Sequence, residues 1–394
     1  MSGAIDDSSP DAPLTFSLAE RDRRWKAIRD EMRAEAIDIL VATGNTGRYG
    51  HHTADARYIT QHGGNDIDPH AILPLQGEVT LIARAKPGWV ADVREYARHE
   101  VDGIVDRLGE LGADGKRIGI AGLAGLIRAP DGIVGAAVIA KIRAAFPRAE
   151  IVNATPLMYR VRSVMSDEEI AFVRKAVRIA EAAVRAFSEV ARAGVKDRVV
   201  YARMVAAEIE DGGEVPFMLA WHASRAGMPY TRLTQATPTR VIEEGDIVYC
   251  QIEGKWQGYL SQMDQTFTIG TVPQLIRDMA RAQADAFAAA LPAMRSGNTL
   301  GDVANACAAS AKGMTYEARL IAHGRGLGED WPLLTQPDPA LLRQELKTNM
   351  VMDIKPGIIR DGKDLWGRFG DSVRVTANGG ERLGTRPVGL ISIP

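Results

Sequence analysis

Apolar residues recur at helical spacing between Leu18 and about Glu35. Trp25, Ile28 and Met32 share one face, and charge covers the other. The short apolar run Ile37–Ala42 closes on Thr43-Gly44-Asn45 and predicts a buried strand followed by a turn. Ala71–Leu75 and Val79–Ala83 predict two strands around the Gln76-Gly77-Glu78 turn. A helix is expected at about Trp89–Tyr96, a strand at Arg117–Ala121 and a helix at about Ile133–Phe146. Strands alternating with helices point to an α/β layer domain ending near residue 155.

Ser166 followed three residues later by Glu169 is a capping box, opening a long helix to about Ala193. A second helix is expected over Asp197–Asp211. Strand-like segments follow at Phe217–Ala220, Asp246–Ile252 and Gly258–Ile269. A helix at about Pro273–Met294 precedes a shorter one from about Leu300. Arg319–His323, Met350–Ile354 and Asp371–Thr376 are the last strand candidates. The pattern predicts a flexible arm over residues 1–17, one domain over 18–155 and a second over 156–394, with the boundary at Ile151–Pro156.

The chain has 394 residues, 46% of them hydrophobic, and more than one core is expected above roughly 250–300 residues. Net charge is -2, with no basic footprint for a nucleic acid. Cys250 and Cys307 make no disulfide framework, so a reduced, cytoplasmic protein is expected. The opening residues are polar and acidic, unlike a secretory signal, and no apolar run of about 18 residues suggests a membrane span. The first dozen or so residues read as an arm that orders against a partner subunit.

Five segments of the second half carry a recognisable arrangement. Arg162-x-x-x-Ser166-Asp167-Glu168-Glu169-Ile170 precedes the long helix. Gly245-Asp246-Ile247-Val248, Gly258-Tyr259 and Thr266-Phe267-x-x-Gly270 form a two-strand unit. Ala322-His323-Gly324-x-Gly326-Leu327-Gly328, Met350-Val351-x-x-Ile354-x-Pro356-Gly357 and Arg368-Phe369-x-Asp371-x-Val373-x-Val375-Thr376 complete the set. In order and spacing they resemble the superfamily of aminopeptidase P, prolidase and creatinase, over about residues 18–390. The resemblance implies a two-domain α/β (α+β) protein. A creatinase-like N-terminal domain would precede a C-terminal pita-bread catalytic domain, in a homodimer.

Peptidases of that superfamily hold two divalent ions with two Asp, one His and two Glu. Carried over by position, the first Asp falls on Gln251 and the second on Gln262. The histidine is kept as His323, the first Glu falls on Lys355, and the last Glu falls on Gly370. A further histidine after a proline falls on Tyr230, after Pro229. A Gln amide lacks carboxylate charge, and a protonated Lys355 repels a dication. The expectation is therefore no metal and no other cofactor. Metal-free members such as creatinase imply that activity survives this loss.

His323 is then the leading acid/base, since an imidazole suits proton transfer near neutrality. Strand alternation adds Glu253, Asp264 and Asp353 as carboxylates sharing faces with Gln251, Gln262 and Lys355. Glu253 is the preferred base or nucleophile, and Lys355 the group that stabilises an oxyanion or is kept neutral by desolvation. The blander reading makes these carboxylates ordinary ion-pair partners. Trp221, Trp256, Trp331 and Trp366 lie in or beside the motifs and suggest an aromatic wall. Gln251, Gln262, Tyr230, Tyr259, Trp256, Trp331 and Arg368 are the candidate substrate contacts, and Arg325 a second grip for a carboxylate.

His51, His52, His62 and His70 cluster in the first half around Arg57-Tyr58-Ile59-Thr60. This resembles a superfamily loop that reaches the partner's site in creatinase-like dimers. A substrate-covering loop carrying His62 is expected rather than a zinc cluster. Cys250 points away from Gln251 and reads as a small buried hydrophobe. The function expected is acid/base hydrolysis of a non-peptide C–N bond in a small molecule. The alternatives are a metal-free lyase releasing, for instance, formaldehyde from an aromatic substrate, a non-catalytic binding module and, last, an Xaa-Pro metallopeptidase.

Overall fold

The computed structural model describes residues 15–47, 51–64, 67–84, 88–96, 100–215, 219–225, 240–360, 363–365 and 368–394. The first half runs α1 Leu18–Ala34, β1 Ile39–Thr43, α2 Ala54–Thr60, β2 His70–Pro74, β3 Thr80–Ile82, β4 Asp92–Arg94, α3 Glu100–Glu110, β5 Arg117–Ala121, α4 Ala136–Ala145, β6 Glu150–Asn153 and α5 Thr155–Ser163. Its strands form one sheet in the order β4-β3-β2-β1-β5-β6, antiparallel at β1–β2 and parallel at β1–β5–β6. The second half runs α6 Asp167–Val190, α7 Asp197–Glu210, β7 Leu219–Arg225, β8 Asp246–Ile252, β9 Lys255–Trp256, β10 Tyr259–Leu260, β11 Met263–Ile269, α8 Gln274–Ala293, α9 Leu300–Ala309, β12 Glu317–Arg319, β13 Ala322–Gly326, β14 Gly328–Leu334, α10 Pro339–Leu342, β15 Val351–Ile354, β16 Gly357–Arg360, β17 Lys363–Leu365, β18 Asp371–Val375, β19 Gly380–Arg382 and β20 Ile391–Ile393.

Two layers of the second half build the site. The sheet β20-β11-β8-β7 shares an apolar core with α6 and α7, through residues such as Val173, Val200, Trp221 and Phe267. The sheet β14-β13-β15-β18-β19 shares another with α8 and α9, through Phe287, Val303, Met352 and Val373. The sheets are stitched where Asp264 N–H donates to Gly370 O at 3.1 Å and Gly370 N–H donates to Asp264 O at 3.0 Å. The polar residues that alternation turns away from the two cores meet at that seam.

α6 starts where the capping box predicts it. Glu169 N–H donates to Ser166 Oγ and the Glu169 carboxylate accepts from Ser166 N–H, satisfying two orphan donors of the first turn. Phe16 and Ser17, expected within a flexible arm, are built into the fold. Phe16 stacks on Phe172 at 4.0 Å, and Ser17 caps α1 while its Oγ donates to Glu168.

The helix expected at Trp89–Tyr96 is not formed. Residues 92–94 are the edge strand β4, parallel to β3, and helix begins only at Glu100. Thr80 Oγ1 donates to Asp92 across that pair at 2.6 Å. Trp89, Ala91 and Val93 alternate as in a strand, while Trp89, Val93 and Tyr96 are spaced as on a helix, and the open sheet edge decides between them. The expected strand Gly258–Ile269 divides into β10 and β11. The expected strand over Arg319–His323 divides between β12, in a separate small sheet, and β13.

Candidate active site at the seam of the two sheets

β13, β15 and β18 bring three residues into one cross-strand row, with His323 opposite Asp353 and Asp353 opposite Ser372. Ser372 Oγ donates to Asp353 Oδ1 at 2.6 Å. Two residues along β13, on the same face as His323, Arg325 reaches across the seam. Its Nε donates to Asp353 Oδ2 at 2.9 Å, and its Nη2 donates to both Glu253 Oε1 and Gln262 Oε1. Lys355 follows β15. Its Nζ lies 2.9 Å from His323 Nε2 and 3.8 Å from Asp264 Oδ2. Asp264 Oδ1 in turn accepts from Tyr249 OH and from Gln251 Nε2, the latter at 3.1 Å.

These contacts fix the tautomer of His323. Its Nδ1 lies 3.2 Å from Gly324 O, and a carbonyl only accepts, so Nδ1 carries the proton. The Nε2 lone pair then accepts from the Lys355 ammonium. Burial holds the His323 pKa well below its ordinary value, and the Lys355 and Arg325 cations depress it further, with Arg128 of the first domain adding to them. Burial also lowers the Lys355 pKa, opposed by Asp264 and Asp353. Asp353 is pushed up to about 6 by burial, against the pull of Arg325 and Lys355.

The donor set does not fit a dinuclear metal centre. At the positions where the resemblance implies ligand carboxylates, this chain has Gln251, Gln262, Lys355 and Gly370. The retained imidazole presents its free nitrogen to an ammonium. A Cβ added at Gly370 would lie 2.6 Å from Lys355 Cβ and 3.0 Å from Ile354 O, so a glutamate has no room there on this backbone.

The structure brings His323, Lys355, Gln251, Gln262, Asp264, Asp353 and Glu253 together, and it changes several roles. Glu253 is fully buried with its carboxylate bound to Arg325, so it is not a free base or nucleophile. Arg325 is an internal cation rather than a grip for a substrate carboxylate. Arg368 is half-buried, and its charge adds to the burial that depresses the Lys355 pKa.

Tyr259 lies elsewhere. Its hydroxyl donates to Glu169 at 2.7 Å and accepts from Arg24 at 2.9 Å, joining α1 to α6. The aromatic wall is not assembled by the described tryptophans. Trp221 is buried against Phe187, Trp256 packs under Lys175, and only Trp331 lies beside Arg325, with Pro332 and Met350. Tyr230 and Trp366 lie outside the described residues.

His62 ends the segment after α2. Burial and Arg57 lower its pKa, and it makes none of the contacts of the His323 cluster given above. His51 and His52 line a pocket with Asp55, Arg128, Tyr159 and Arg162, within the first half of the chain. Among the described residues no group of three or more His, Cys, Asp or Glu is placed to hold a metal ion. Cys250 is buried in the core, and burial raises its thiol pKa well above the ordinary value.

Sequence reasoning missed Tyr249 and Ser372 as members of the cluster. Alternation carried the signal, since Tyr249 is two residues before Gln251 and Ser372 two after Gly370. It also missed Glu208, which follows Val200 and Met204 at helical spacing on the buried face of α7.

A family model described as Metallopeptidase family M24 matches residues 171–377, and one described as Creatinase/Prolidase N-terminal domain matches residues 24–164. The uncharacterized hydrolase/peptidase y4tL of Sinorhizobium fredii is 28% identical over 95% of this chain and 97% of its own. The Xaa-Pro dipeptidase of Pyrococcus horikoshii is 29% identical over 57% of this chain and 63% of its own. The agropine synthesis cyclase of Rhizobium rhizogenes is 27% identical over 67% of this chain and 70% of its own. Among solved structures, the prolidase from Pyrococcus horikoshii superposes with a TM-score of 0.71 at 21% identity, covering 93% of this chain and 99% of that one. At that identity the likeness speaks for the fold.

Proposed function

The chain belongs to Metallopeptidase family M24, with a Creatinase/Prolidase N-terminal domain ahead of it, and on that premise we propose that it is a metal-independent hydrolase of a non-peptide C–N bond in a small molecule. The observation that carries the reading is the Lys355 ammonium 2.9 Å from the Nε2 of a neutral His323, at two positions where the resemblance implies metal ligands. The relative named as a synthesis cyclase supports looking beyond peptides.

The chemistry asked of the site is one proton transfer in each direction. Water attacks the substrate carbon, a C–O bond forms and the C–N bond breaks. Lys355 donates a proton to the departing nitrogen and, as the free amine, takes the proton released by the attacking water. Burial favours that exchange by bringing the ammonium closer to neutrality. His323 holds one Lys355 N–H and so aims the other two. Asp264, fixed by Tyr249 and Gln251, lies near enough to steady the ammonium. Gln251 and Arg368, both half-buried, are the proposed contacts to substrate.

The lyase alternative uses the same acid/base set, and the aromatic wall that would favour it is not assembled by the described tryptophans. The test is a screen of small amides, amidines and ureides by proton NMR with chelator-treated protein. The expected result is cleavage without added metal, reduced about 10²–10⁴-fold in Lys355→Met, the range for a positioned acid/base. Cleavage of Xaa-Pro dipeptides alone, and only with added Mn²⁺, would overturn the proposal. A binding module would give saturable binding with no product.

A further inference from the structure

Arg325 is the member of this cluster that no step above uses. It is almost wholly buried, and its guanidinium is held by the carboxylates of Glu253 and Asp353 and by the carbonyl oxygen of Gln262. Gln262 occupies a position where the resemblance implies a metal ligand. Glu253 comes from the turn after β8, Gln262 from the residue before β11, and Asp353 from β15. Three oxygens from three separate elements therefore converge on one cation. That convergence is the arrangement an oxygen-liganded metal ion requires, but here the centre is a side chain of β13.

We infer that Arg325 is the resident cation of this cavity, standing in the place and the charge of a metal ion, with Glu253, Asp353 and Gln262 as its ligands. The inference rests on the metal-independent reading and deepens it. Lys355 on His323 is the second buried cation of the cluster. The two differ in what they are free to do. Arg325 is locked by three partners and keeps its proton, because a guanidinium stays charged in proteins. Its role is therefore positioning: it draws the two sheets together across the seam and neutralises two buried carboxylates. Lys355 has fewer bonds and a depressed pKa, and it is left to exchange protons.

The surroundings agree with this division. Glu208, fully buried on α7, feels the charge of Glu253, and neither of its carboxylate oxygens finds a hydrogen-bond partner among the described residues. Glu253 thus needs its charge cancelled from the seam side. On the other flank Trp331, Pro332 and Met350 stand against Arg325.

The experiment removes the cation and offers the cavity a metal. Wild type, Arg325→Ala, Arg325→Lys and Arg325→Ala/Glu253→Gln/Asp353→Asn are each incubated with MnCl₂, desalted and measured by elemental mass spectrometry and by melting temperature. Arg325→Ala is expected to retain roughly one Mn²⁺ per chain and to melt higher with Mn²⁺ than without. Wild type, Arg325→Lys and the triple variant are expected to retain none and to show no shift. Mn²⁺ retained by wild type overturns the metal-independent reading itself. A folded Arg325→Ala that neither retains Mn²⁺ nor gains stability from it overturns this inference alone.

If Arg325→Ala does not fold, Arg325→Met is compared with Arg325→Met/Glu253→Gln/Asp353→Asn. Removing the two carboxylates should restore folding, because an unpaired buried charge costs more than a neutral replacement of the whole set. No recovery in the neutralised variant overturns the inference.

Discussion

Replacing Lys355 by methionine keeps the side chain out to its ε carbon and removes the ammonium that lies 2.9 Å from His323 Nε2. At an effective dielectric of about 20, two unit charges at that separation repel by roughly 6 kcal/mol. That figure is a ceiling, because the charge of an imidazolium is spread over the ring. In the wild type this repulsion adds to burial and keeps His323 neutral. In Lys355→Met only burial and the more distant arginines remain, so the His323 pKa should move upward toward the ordinary value near ~6.5.

The assay is two-dimensional NMR of protein carrying ¹⁵N-labelled histidine. There are seven histidines, and His323 is assigned by the signal lost in His323→Gln. The wild-type ring should show the Nδ1–H tautomer and no titration between about pH 5 and 8. The methionine variant should begin to protonate within that window. The linkage sign is set by the depressed pKa. The unfolded chain takes up a proton below its ordinary pKa while the folded chain does not, so wild-type stability falls as pH drops through that region. The variant should lose less on the acid side. A wild-type His323 that titrates near the ordinary value, or that carries its proton on Nε2, would refute the reasoning.

Other consequences are as direct. Glu208→Gln should raise the melting temperature at pH 8 and flatten its pH dependence, because burial raises the Glu208 pKa. That raised value makes stability fall as pH climbs above the ordinary carboxylate range. An unchanged melting curve at alkaline pH would mean that Glu208 is not held protonated. Gly370→Ala should destabilise by about 1–3 kcal/mol in urea unfolding, since the added Cβ meets Lys355 Cβ at 2.6 Å. Tyr259→Phe should cost about 1.5–3 kcal/mol, the range for a hydrogen bond to a charged group, here Glu169 and Arg24. An effect within experimental error there would show that the hydroxyl is not what joins α1 to α6.

The architecture was largely legible because its signals are local. The capping box at Ser166 and Glu169, the apolar period of α1 and the alternation of β8 are each set by neighbours in the chain. β4 was not legible, since Trp89–Tyr96 fits two periods and the choice is made by β3 across the sheet. In the site, His323 and Lys355 were found by motif position, and the fate of Glu253 was not. Alternation from Gln251 does bring Glu253 to the seam, but it does not name the partner that Glu253 meets there. The turn sends Glu253 to Arg325 on the opposing sheet, a pairing 72 residues apart that no local pattern encodes. The tryptophans misled for the same reason. Closeness to a motif in sequence said nothing about which of them face the seam.

The measurement that bears most directly on the central claim is the metal content of the purified protein by elemental mass spectrometry, taken together with Gly-Pro cleavage before and after chelation. The account predicts far less than one ion per chain and no dipeptide cleavage, with or without added Mn²⁺. Stoichiometric metal that a chelator removes together with dipeptide turnover, and that Mn²⁺ restores, would contradict it. Lys355, Gln251, Gln262 and Gly370 would then not be the residues that stand at the metal-ligand positions.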